Sequence, residues 1–66
     1  MTVTVNGNTR PLGDAKTLAG LLAALNVKTV KKAVELNGQI IPASAFANTP
    51  VKPNDQIEII QFVGGG

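Results

Sequence analysis

LNGQIIP, residues 36–42, decides how this chain folds, because nearly the same phrase stands earlier as VNGNTRP, residues 5–11. Both read apolar, Asn, Gly, amide, two further residues, Pro. Asn-Gly is the preferred central pair of a type I′ turn, since both positions need φ > 0 and the twist of that turn suits the strands it joins. Ahead of the first turn Val3 and Val5 alternate with threonines; ahead of the second Val34 and Leu36 flank Glu35. That period of two marks a half-buried strand. Two copies are too few for a solenoid, so the echo predicts two β-hairpins. Pro11 and Pro42 close the outgoing strands, and proline belongs on sheet edges because it cannot donate to a ladder. The second strand of each hairpin is expected at an edge, with a central strand lying between the hairpins.

Between the hairpins runs DAKTLAGLLAALN, where Leu18, Leu21, Leu22 and Leu25 form one stripe at helical spacing. Thr17 is the expected N-cap, with Asp14 as the alternative start. Gly20 stands where the Glu or Gln of a capping box would reach back. It costs the helix about 1 kcal/mol against alanine, which a close helix–sheet approach would explain. Asn26 is the expected stop. After the second hairpin ASAFAN, residues 43–48, predicts a single helical turn with Phe46 as its plug into the core. TPVKPND, residues 49–55, is turn material, and QIEIIQFV, residues 56–63, is the most apolar strand and hence the centre of the sheet.

The expected order is ββαββ(α)β: an α+β roll of the β-grasp kind, with a five-stranded mixed sheet, one main helix and a short helical turn. Val3, Val5, Leu21, Leu22, Leu25, Val34, Leu36, Ile57 and Ile59 are its expected core. Residues 1–63 read as a single domain and residues 64–66 as a flexible glycine tail. A last strand paired centrally with the first would bring the chain's end out of the middle of the sheet.

Composition narrows the function. The chain is 44% hydrophobic and 15% charged, which is globular rather than disordered. It has no Cys and no His, so thiolate metal sites and disulfides are excluded and the usual neutral-pH base is absent. Asp14, Glu35, Asp55 and Glu58 read as cap, turn and outer-face residues without partners. A self-contained enzyme is not expected, nor a bound metal or cofactor. The apolar run Leu18–Leu25 is too short to span a bilayer, and MTVTVNG lacks the basic and apolar regions of a signal peptide; a cytoplasmic protein is expected. Net charge is +2, and KTVKK, residues 28–32, is the one basic cluster. Without neighbouring aromatics or arginines it reads as a solvated lead-in to a strand, so no nucleic acid and no membrane partner is expected.

The last strand poses a question of register. Ile57 and Ile59 keep period two toward the helix, which puts Ile60 and Phe62 on the opposite face with Gln56 and Glu58. Either a bulge after Ile59 returns Phe62 to the core, or an exposed apolar patch marks an interface. The chain then ends FVGGG. Three residues without Cβ reach roughly 10 Å past the strand, at about 3.5 Å each, and are slim enough to enter a narrow channel of another protein. Such a thread delivers only its carboxylate, which becomes electrophilic once ATP converts it to an acyl-adenylate. GGG lacks the Lys-Ser/Thr of a phosphate-binding loop, so a separate enzyme would do the activating. The bland alternative is a glycine linker or expression scar.

The TLAGLLAAL helix, AVELNGQIIP (Ala33 to Pro42), Phe46 and DQIEIIQFVGGG (Asp55 to Gly66) together resemble the ThiS family, sulfur carriers of thiamine biosynthesis, over essentially the whole chain. A bare terminal Gly-Gly is less specific, being shared with ubiquitin-like modifiers and the molybdopterin synthase small subunit, and both remain as alternatives. The resemblance implies a ubiquitin-like carrier whose Gly66 carboxylate is adenylated by an E1-like adenylyltransferase using ATP. It is then converted to a thiocarboxylate with sulfur from a donor such as a cysteine desulfurase system, and the sulfur passes to thiazole synthase. On that basis Gly66 is the carrier residue, Gly64 and Gly65 are the thread, and Ile60, Phe62 and Val63 form the docking face. Ala43, Ser44 and Ala45 stand where relatives often carry charge, a departure that bears on partner contact and not on the terminal chemistry.

Overall fold

The computed structural model describes residues 1–28 and 32–61. Its strands are β1 (Thr2–Val5), β2 (Asn8–Pro11), β3 (Lys32–Leu36), β4 (Gln39–Ile41) and β5 (Gln56–Gln61), with helix α1 (Leu18–Ala24) after the first hairpin and a 3-10 helix (Ala43–Asn48) after the second. Both hairpins turn as their sequences predict. Asn6 and Gly7 have φ of 50° and 82°, and Asn37 and Gly38 have 51° and 87°, which is the left-handed pair a type I′ turn requires.

The sheet runs β2-β1-β5-β3-β4, so both proline-closed strands are edges and the last strand is the centre. β5 lies parallel to β1, with Thr4 opposite Gln56 and Val5 opposite Ile57. It lies antiparallel to β3, from Leu36 opposite Ile57 to Lys32 opposite Gln61. That register is unbroken, and no bulge follows Ile59 within the described strand. The half of the question that concerns Phe62 lies outside the described residues.

The helix begins where Thr17 accepts a hydrogen bond from the Gly20 amide at 3.2 Å. It ends at Asn26, whose φ of 59° lets its amide reach the Ala23 carbonyl and the Val27 amide reach the Leu22 carbonyl, at 3.1 and 2.9 Å. These are the two bonds of a Schellman stop. Gly20 does not mark a close approach to the sheet. It is exposed, and the nearest atom a Cβ there would meet is the Thr17 hydroxyl oxygen at 3.4 Å.

Leu18, Leu21 and Leu22 point from the helix onto Val3, Val5, Val34 and Ile57, and Phe46 plugs the side of this core from the 3-10 helix. Leu25, Leu36 and Ile59, expected inside, are half-buried at its margin. Their places are taken by Leu12 and Val51, which carry no periodic signal because they lie in connecting segments. Tertiary pairing explains Val51: its amide donates to the Lys16 carbonyl and the Leu18 amide to the Thr49 carbonyl. The loop thereby seals the start of the helix and draws its apolar residue inward.

Candidate functional site

The candidate site is the outgoing end of β5, and the asparagines of the two turns hold that strand. At its start the Asn37 side-chain oxygen accepts from the Gln56 amide at 2.8 Å, while its nitrogen donates to an Asp55 carboxylate oxygen at 3.0 Å. The Asn37 amide donates to the Gln56 carbonyl. The other Asp55 oxygen accepts from the Lys52 amide at 2.8 Å, closing the preceding turn. Asp55 is 6% exposed, the one buried charged residue among those described. The expectation that the carboxylates lack partners therefore fails at Asp55, whose hydrogen bonds answer its burial.

Halfway along β5 the other turn takes hold. The Asn6 amide donates to the Ile57 carbonyl at 2.9 Å, and the Asn6 side-chain oxygen accepts from the Ile59 amide at 2.8 Å. Both asparagines of the Asn-Gly echo thus grip the same central strand with main chain and side chain. Sequence reading missed this role. The signal that could have found it is the repetition of Asn beside a strand expected to lie between both hairpins.

On the sheet face away from the helix, β5 presents Gln56, Glu58 and Ile60. Glu58 stands opposite Glu35, and Ile60 opposite Ala33. Ile60 is 37% exposed at the strand's end; Ile40, 58% exposed, lies on β4 opposite Glu35 and level with Glu58. Of the residues expected at the site, Ile60 is placed on this outer face; Phe62, Val63, Gly64, Gly65 and Gly66 lie outside the described residues. Among the described residues no group of His, Cys, Asp or Glu is gathered to hold a metal ion. Among the same residues no helix is long and apolar enough to cross a membrane.

A mixed five-stranded sheet with one helix across a single face, and with its first and last strands parallel at the centre, defines the β-grasp class of ubiquitin-like domains. Residues 3–66 match the ThiS family. The crystal structure of a thiamine biosynthesis protein (ThiS) from Geobacter metallireducens superposes with a TM-score of 0.84 at 39% identity, covering all of both chains. The chain belongs to the ThiS family. It is also 39% identical, over its whole length, to a part of a thiazole synthase of Paramagnetospirillum magneticum, and 33% identical to a part of one from Magnetococcus marinus. It spans about 20% of the length of each of those two relatives. An uncharacterized protein of Porphyra purpurea, 30% identical, is matched over 93% of its length.

Proposed function

We propose that this protein is a sulfur carrier for thiazole formation in thiamine biosynthesis, a co-substrate of partner enzymes whose working group is the Gly66 carboxylate. The observation that carries the reading is membership of the ThiS family across residues 3–66, a span that includes the terminal glycines. The chemistry suits a chain without Cys or His. An E1-like adenylyltransferase would join the Gly66 carboxylate to the α-phosphate of ATP, with pyrophosphate leaving. Hydrosulfide, or its equivalent from a cysteine desulfurase system, would then attack the acyl carbon. The acyl C–O bond breaks, AMP leaves with that oxygen, and loss of the sulfur's proton to solvent leaves a thiocarboxylate. Gly64 and Gly65 would pass the terminus through a channel too narrow for side chains. Ile60, Phe62 and Val63 would seat the body against the enzyme and offset the roughly 1–2 kcal/mol per residue of ordering the thread.

The sulfur acceptor in this reading is thiazole synthase. Support comes from the two relatives described as thiazole synthases, each of which carries a similar segment within one longer chain. Covalent linkage of that kind raises the effective concentration of one module for the other. The same relatives favour the thiazole branch over the molybdopterin branch and over a protein modifier.

Intact-mass spectrometry tests the proposal. After incubation with ATP, the activating enzyme and a sulfur source, the mass should rise by the difference between sulfur and oxygen, localised to Gly66. A variant lacking Gly65 and Gly66 should show no gain. An unchanged mass with an enzyme competent on another carrier would overturn the reading.

A further inference from the structure

We infer that Asn6 is a positioning residue for the tail: its side chain sets the point beyond which the β1 side of the sheet no longer holds β5. In a parallel ladder a residue donates its amide to one residue of the neighbouring strand, and its own carbonyl accepts from the residue two further on. Asn6 donates to the Ile57 carbonyl in this manner, but the bond from the Ile59 amide ends on its side-chain oxygen at 2.8 Å. The left-handed turn at φ 50° has begun to carry the main chain away toward β2. The amide side chain stands in for the missing carbonyl and extends the hold of β1, whose strand pairing stops at Val5 opposite Ile57, as far as Ile59.

Past that bond Ile60 and Gln61 are paired with β3, opposite Ala33 and Lys32. Asn6 therefore fixes a pivot on the β1 side of β5, seven residues before Gly66; beyond it the described strand is held by β3 alone. Releasing the pivot frees the β1 side of β5 beyond Ile57 while β3 still holds the other side, and restoring that hold when the terminus docks is a cost that falls on binding rather than on the chemical step. Asn37 grips the other end of β5 and does not bear on the pivot. This inference rests on the carrier reading above.

The test compares Asn6→Gly, Asn6→Asp and Asn37→Gly with the unaltered protein. Glycine keeps the turn and removes the side-chain acceptor, whereas aspartate keeps both. Hydrogen exchange at the Ile59 amide should accelerate in Asn6→Gly and not in Asn6→Asp. In ATP-dependent loading by the activating enzyme, Asn6→Gly should raise KM about fivefold at nearly constant kcat, and Asn6→Asp should restore it. Asn37→Gly should unfold more readily yet keep its KM. A wild-type KM in Asn6→Gly, no rescue by Asn6→Asp, or an equal rise in Asn37→Gly each overturns the assignment while leaving the carrier reading intact. Failure of the unaltered protein to load overturns both.

Discussion

The two Asn-Gly turns are local twins with different tertiary duties. Their backbone angles agree within a few degrees, with φ of 50° and 82° in one and 51° and 87° in the other. Each reaches β5 with an asparagine. Asn37 uses both ends of its amide, and its nitrogen serves a buried carboxylate. Asn6 uses only its oxygen, on a main-chain amide. One turn thus secures the start of the central strand together with the loop before it, and the other extends a strand pairing by two residues. A local motif settles the turn's shape; what its side chain touches is settled by which element passes beside it.

One substitution made in both turns should break the resemblance most sharply. Asn37→Asp removes the donor to Asp55 and sets a second carboxylate against the first, and it should cost about 2–3 kcal/mol in urea unfolding. Asn6→Asp keeps the acceptor for Ile59 and should stay within about 0.5 kcal/mol of the parent. Equal losses would mean that the Asp55 bond is not what separates the turns.

The glycines test the opposite claim, that the turns are equivalent in backbone. A Cβ on Gly7 or Gly38 would meet open space, so the penalty is the left-handed conformation alone. Gly7→Ala and Gly38→Ala should each cost about 1–2 kcal/mol, with near-equal shifts in Tm. A large inequality would place strain in one turn that its angles do not reveal.

A smaller effect is expected outside both turns. Gly20→Ala should stabilise the helix by up to about 1 kcal/mol, since the position is exposed and the nearest atom lies at ordinary contact distance. Combined with Asn6→Gly or Asn37→Gly, its effect should add to theirs, because it shares no partner with either turn. Chemical denaturation of the single and double variants checks this.

Much of the architecture was legible because it rests on short-range rules. Asn-Gly between alternating apolar residues, prolines at the closing positions, a leucine stripe behind Thr17 and an apolar final run each have one cheap conformational answer. Ile60 on the outer face of β5 was legible as one of two outcomes, and the unbroken pairing with β3 selected it. Leu12, Val51 and Asp55 were not legible as buried residues, because loop residues have no period to read. Val51 is inside where it pairs with the start of the helix, and Asp55 where it pairs with a turn that lies eighteen residues earlier.

The sequence by itself determined the elements, their order, the edge and central strands and the family, since all of these follow from patterns spanning fewer than about twenty residues or from the match along the chain. Tertiary structure alone decided that both asparagines hold β5, that Asp55 is buried with partners, and that Gly20 is free of the sheet. The physical reason is reach. The bond from Ile59 to Asn6 joins residues 53 positions apart, and no local preference can state which distant amide will arrive within hydrogen-bonding distance.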